Sequence, residues 1–194
     1  MRKASHSEKA VQIRDHLLSE ATFIESPNQN DRAYDQDLSL IVIHNISLPP
    51  NQFGGPGIHQ LFTNRLDPDE DVYYAGIAHL RVSAHLLIRR DGSLFQYVPF
   101  NRRAWHAGIS TYQGRKDCND FSIGIELEGT DNLPFMLEQY HQLNKILSAL
   151  IDTYPSLSRE RVVGHEHIAP GRKTDPGPFF DWSILELPVP PLEV

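Results

Sequence analysis

The alternation of apolar and polar positions divides the chain into a polar start, a strand-rich middle and one long amphipathic helix. Leu38 to Ile46 (LSLIVIHNI) is a nearly continuous apolar run rich in β-branched residues, the pattern of a strand covered on both faces. His44 stands near its C-terminal end. Val82 to Arg89 and Leu94 to Val98 read as two more strands, joined through Asp91-Gly92, a turn in which glycine takes positive φ at no steric cost. In the segment after Asp120, Phe121, Ile123, Ile125 and Leu127 fall on one strand face, with Ser122, Gly124, Glu126 and Glu128 on the other. From about Pro134 to Tyr154, apolar residues including Tyr140, Leu143, Leu147 and Leu150 recur at three- and four-residue spacing, which predicts a helix packed on a sheet and stopped by Pro155. Arg161 to Gly164 is a short strand leading into His165. Weaker patterns predict an amphipathic helix over Lys9 to Phe23 and a short one around Ile58 to Asn64. The latter lies within a long Pro- and Gly-rich connection of the kind that often walls a binding groove.

Strands mixed with helices give an α/β (α+β) fold class, a single domain with a mixed sheet. The 194 residues suit one core. Residues 38–182 are read as that domain, 1–37 as an N-terminal extension with one helix and a loop, and 183–194 as an irregular tail. With 40% hydrophobic and 22% charged residues, the chain falls outside the disordered and membrane-embedded classes. A formal net charge of -7 argues against a general nucleic-acid binder, which needs a broad basic surface. Cys118 is the only cysteine, so no intramolecular disulfide forms. No apolar run follows the basic start, and the expectation is a cytoplasmic protein without a secretory signal.

Among ten histidines, His6, His16, His59 and His141 need no special role. His44 places an imidazole at the edge of a very apolar strand, and His165 closes another short apolar strand before a Pro- and Gly-rich loop that carries Asp175. Two imidazoles and a carboxylate, with a fourth position open, make a catalytic zinc donor set. Spacing alone leaves His85, inside Val82–Leu87, and His167, two residues from His165, as rivals. His165-Glu166-His167 lacks the four-residue step that puts two ligands on one helical face. Glu126, on a strand beside Gly124, is the candidate general base, with an exposed strand carboxylate as its ordinary alternative. Lys173, two residues from Asp175, could stabilise an oxyanion or be a surface lysine. Between His79 and Lys116, seven basic residues and one acid give a local charge of +6, in a segment that also holds Trp105 and His106. That segment is expected to hold a small anionic ligand, while Arg89 and Arg90 are read as solvating the hairpin.

The blocks VIHNISLPP, FGGPGI, GIAHLRVSAHLLIRRDGSLFQYVPF, RAWHAG, CNDFSIGIELEGTD and GRKTDPGPFFDW closely resemble the zinc amidases of peptidoglycan recycling, in the amidase and peptidoglycan recognition protein-like family. The likeness spans about Leu38 to Trp182. It implies a mixed sheet flanked by helices and one zinc ion held by His44, His165 and Asp175. It also implies catalytic roles for Glu126 and Lys173, and muropeptide contacts from Asn45, Arg81 and Trp105. The implied reaction is hydrolysis of the amide joining (1,6-anhydro)-N-acetylmuramic acid to L-alanine, with a small-molecule muropeptide as the only partner. Zinc would activate water or the carbonyl, Glu126 would move the proton, and Lys173 would steady the oxyanion. A non-catalytic peptidoglycan-binding module on the same fold is the alternative, and a peptidase acting without the muramyl sugar is a third reading. His167 is an added histidine that the family pattern does not require.

Overall fold

The computed structural model describes residues 11–33 and 37–185. Residues 11–33 hold no helix. β1 (Ile13–Arg14) and β2 (Leu17–Leu18) form an antiparallel hairpin, followed by β3 (Thr22–Phe23). Asp15 and His16, between β1 and β2, take φ of 50° and 63°. Two successive positive-φ residues close a two-residue hairpin, and this local geometry overrides the helix expected over Lys9 to Phe23. Lys9 and Ala10 lie outside the described residues, as do the prolines of the tail.

In chain order there follow β4 (Gln29–Asp31), β5 (Leu40–Ile46), α1 (Gly57–Phe62), α2 (Val72–Ile77), β6 (Leu86–Ile88) and β7 (Leu94–Gln96). Then come β8 (Arg102–Ala104), β9 (Thr111–Tyr112), β10 (Arg115–Lys116), β11 (Ser122–Glu128), α3 (Leu137–Thr153), β12 (Val162–Gly164) and α4 (His165–Ile168). The main sheet has the order β12-β5-β11-β6-β7-β3. β12, β5, β11 and β6 run parallel, β7 is antiparallel to β6, and β3 is parallel to β7. Gly92, at φ 81°, makes the expected turn between β6 and β7.

Residues 11–33 also contribute to the sheets. β3 is an edge strand of the main sheet and β4 pairs with β8. The Arg32 guanidinium is buried and donates to the carbonyls of Phe100, Asn119 and Ser122. Burial lowers its pKa to about 10.

β5 and β11 are in phase, which sorts the core into two layers. Ile123 opposes Ile41 and Ile125 opposes Ile43, and this face packs under α3 through Leu143, Ile146, Leu147 and Leu150. Each such side chain contributes about 1.5–3 kcal/mol on full burial. At the head of α3, Gln139 Oε1 accepts from the Met136 N–H, while Met136 and Leu137 themselves stay exposed. On the other face Gly124 opposes Val42 and Glu126 opposes His44. The sequence pattern marks that face as polar, yet every residue of β11 is buried. Leu40 and Val42 on this side pack with Ala107, Cys118 and Phe121, so the strand is covered on both sides, as interior parallel strands are. Gly164 at the end of β12 pairs with Ile43, and His165 therefore emerges beside His44. The C-terminal ends of adjacent parallel strands thus carry three side chains of chemical interest, the usual place for a site in such sheets.

Candidate metal centre and active-site cleft

His44, on β5, and His165, the first residue of α4, turn their Nδ1 atoms to within 3.0 Å of each other. Asp175 arrives from the loop after α4. Its Oδ2 lies 3.0 Å from His44 Nδ1 and 3.1 Å from His165 Nδ1. The backbone carbonyl of Asp175 accepts from the Glu166 N–H, which ties the loop to α4. Among the described residues these three form the group of side chains that could hold a metal ion.

The donor chemistry fits such an ion. His165 Nε2 stands 3.0 Å from the Ala107 carbonyl, an acceptor only, so its proton is there and its Nδ1 presents a lone pair. Lone pairs and a carboxylate converging at 3 Å repel unless a cation sits among them. A proton is a poor cation here: burial, and then His165, lower the His44 pKa to about 4. A tetrahedral ion with bonds of about 2.0–2.1 Å places its donors about 3.3 Å apart, close to the triangle found.

The cluster sits at the floor of a cleft of about 610 Å³. Glu126, paired in register with His44, lines the same cleft, and its Oε2 is buried without a hydrogen-bond partner. Burial first, then Asp175, push its pKa well up, while Lys173 opposes them. Lys173 also lines the cleft. A buried, unpartnered carboxylate and a lysine facing one floor can together move a proton and stabilise negative charge.

Two of the three residues expected to contact a ligand are in the cleft wall. Asn45 donates to Asp131 Oδ1 (2.6 Å) and to the Pro176 carbonyl (3.0 Å), and Trp105 Nε1 donates to Asn30 Oδ1 (2.6 Å). Arg81 is not among the lining residues; its Nη1 donates to the carbonyls of Ala78, His79 and Leu80 just past α2. Both rival histidines are engaged with backbone instead. His85 Nδ1 accepts from the Gly124 N–H and its Nε2 donates to the Arg102 carbonyl. His167 Nδ1 accepts from the Gly164 N–H, and its ring lies edge-on to Trp182.

The basic segment is largely neutralised. Arg102 pairs with Asp31, Arg103 with Asp120 and Arg115 with Asp37. Arg89 does not solvate the hairpin: it is buried, bound to Glu128 Oε1 at 3.0 Å and to the Gly55 carbonyl at 2.8 Å. Arg90 lies over the Phe53 ring. The acids responsible lie outside the segment, so summing its charge overstated the field. The cations that line the cleft are Arg172 and Lys173. Arg172 and Asp131 carried no signal in the local sequence, because only the fold brings their loops to the cleft.

A mixed sheet with a metal-competent His/His/Asp floor beside a buried glutamate suits a metal-assisted hydrolase. The chain belongs to the N-acetylmuramoyl-L-alanine amidase family, which it matches over residues 34–178. It is 59% identical over 174 residues to the 1,6-anhydro-N-acetylmuramyl-L-alanine amidase AmpD of Citrobacter freundii, covering 90% of this chain and 92% of that protein. A crystal structure of a selenomethionine AmpD derivative superposes with a TM-score of 0.87 at 57% identity, covering 90% of this chain and 97% of that one. The Escherichia coli amidase AmiD, solved with anhydro-N-acetylmuramic acid-L-Ala-D-γ-Glu-L-Lys, gives a TM-score of 0.56 at 28% identity, over 92% of this chain and 65% of that one. No helix among the described residues is long and apolar enough to cross a membrane.

Proposed function

We infer that this protein hydrolyses the amide bond between 1,6-anhydro-N-acetylmuramic acid and the L-alanine of muropeptides, in peptidoglycan recycling, with one zinc ion as cofactor. The observation that carries this reading is the convergence of three donor atoms at 3.0–3.1 Å beside an unpartnered carboxylate oxygen on the neighbouring strand. His44 Nδ1, His165 Nδ1 and Asp175 would hold the ion, and two imidazoles with one carboxylate favour zinc. Bound there, zinc supplies Lewis-acid activation of water and carbonyl.

The remaining steps belong to the chain. Glu126 accepts a proton from the attacking water, and the water's oxygen bonds to the lactyl carbonyl carbon. The Lys173 ammonium stabilises the negative charge that develops on the carbonyl oxygen. Glu126 then gives its proton to the alanine nitrogen as the C–N bond breaks, releasing a carboxylic acid and an amine. Asn45 and Trp105, which line the cleft, would contact the muropeptide, and a cytoplasmic site of action fits such a soluble substrate. Residues 38–182 would carry the chemistry, with residues 11–33 completing the sheet.

The test is mass analysis of the products from a purified anhydro-N-acetylmuramyl peptide. Free anhydro-N-acetylmuramic acid and the intact stem peptide are expected. Equal cleavage of a peptide lacking the sugar would indicate a peptidase, and binding without products a non-catalytic module.

Acid should strip the metal late. In unfolded chains a histidine takes its proton near pH 6.5, whereas buried His44 takes it only near pH 4. The folded state therefore binds fewer protons in that window, and stability falls as pH drops through it. Zinc is expected to remain bound at about pH 6 and to leave as pH approaches about 4. A zinc-sensitive dye reads this directly, and complete release at pH 6 would contradict the burial argument.

A further inference from the structure

One half-buried histidine is used by none of the steps above. His106 follows β8, and its Nδ1 lies 2.9 Å from His44 Nε2, the ring nitrogen of that ligand facing away from Asp175 and His165. Its own Nε2 lies 3.1 Å from Ser122 Oγ, and Ser122 Oγ lies 2.6 Å from the Cys118 carbonyl. The last member settles the direction of the whole chain. A carbonyl oxygen only accepts, so the Ser122 hydroxyl must donate to it. Ser122 Oγ then accepts from His106 Nε2–H, which leaves His106 Nδ1 bare and able to accept. His44 Nε2–H donates to that nitrogen, and His44 Nδ1 is left with its lone pair toward Asp175 and His165.

The surroundings hold His106 in this pose. Gly124 lies directly beneath the ring: a Cβ there would come within 2.6 Å of His106 Nδ1. Any side chain at that strand position would push the imidazole off His44. Asn119 Oδ1 accepts from the backbone N–H of both His106 (3.0 Å) and Ala107 (2.8 Å). The Ala107 carbonyl is the acceptor for His165 Nε2–H. One dipeptide, pinned by one carboxamide, therefore supplies the outer hydrogen-bond partner of both histidine ligands.

We propose that His106 is a positioning residue for the metal centre, which fixes the tautomer and ring orientation of His44 through a one-way hydrogen-bond chain ending on the Cys118 carbonyl. This rests on the reading of His44, His165 and Asp175 as metal ligands. Its Gly124 seat explains why a glycine interrupts an otherwise substituted strand.

The test compares two variants of nearly equal size in the zinc-loaded protein. His106→Asn keeps an acceptor oxygen near the position of Nδ1, and His106→Leu does not. Zinc affinity, read by competition with a chromophoric chelator, is expected to fall about 10- to 100-fold in His106→Leu, the usual cost of losing such a partner. In His106→Asn it should recover to within a few-fold of the parent chain. Equal affinities in all three proteins, or equal losses in both variants, would overturn the proposal while leaving the ligand set intact. A parent chain that binds no zinc would instead overturn the ligand set itself. Imidazole nitrogen NMR of the unmutated protein gives a second readout that needs no variant to fold. His106 should carry its proton on Nε2, and a proton on Nδ1 would exclude acceptance from His44.

Discussion

Glu126→Ala is expected to bind zinc as tightly as the parent chain and to lose about 10²- to 10⁴-fold in turnover, the usual contribution of a general acid–base. The carboxylate is not part of the donor triangle; it stands on the adjacent strand, in register with His44, with Oε2 unpartnered. Removing it takes away the proton carrier and leaves the triangle untouched. A second consequence runs the opposite way. Burial raises the Glu126 pKa, so the folded state holds its proton to higher pH than the unfolded chain does. Stability conferred by that group is present at low pH and lost as pH rises through the raised pKa. Metal-free Glu126→Gln should therefore melt higher than the metal-free parent near neutrality, even as its activity is lost. Paired measurements of zinc content, turnover and melting temperature check all three points. Equal zinc loss in Glu126→Ala and His165→Ala would mean that Glu126 is a ligand.

His165→Ala is expected to lose the ion and with it hydrolysis altogether. Two donors would remain, one of them on a loop, and the Ala107 carbonyl would lose its imidazole donor. Chelation of the parent chain should mimic this, with zinc restoring activity to the chelated parent and not to the variant. Hydrolysis persisting in metal-free protein would remove the basis of the mechanism. The variant also carries an expected structural cost, because His165 is 3% exposed and its ring fills the space between β5 and the Ala107 backbone.

What the sequence made legible follows from how local each signal is. The apolar run of β5, the alternation of β11 and the stripe of α3 depend on near neighbours in the chain, and each appears within a few residues of its expected place. The N-terminal hairpin was hidden because its turn depends on Asp15 and His16 accepting positive φ, which composition barely marks. Covering of the Ser122–Gly124–Glu126 face was hidden for another reason: the segment that covers it arrives from elsewhere in the chain. The same holds for the cleft. His44 and His165 were marked by apolar strands ending in an imidazole, but their choice over His85 and His167 came from the family resemblance. In the structure, His85 has both ring nitrogens and His167 its Nδ1 committed to backbone groups. The segment charge failed as a guide because Asp31, Asp37, Asp120 and Glu128 reach it from outside.

The parallel ladder between β5 and β11 runs for seven residues, and Glu126 and His44 are fifth in each strand. Their separation is thus set by strand spacing, near 4.8 Å, and not by the reach of flexible side chains. No small adjustment can retune it, because sliding one strand by a single residue would swing Glu126 to the face covered by α3. Aspartate in place of Glu126 would keep the charge and still fall a methylene short, with nothing in the backbone able to make up the difference. In this protein, the choice between glutamate and aspartate at position 126 is a choice of length made by the sheet.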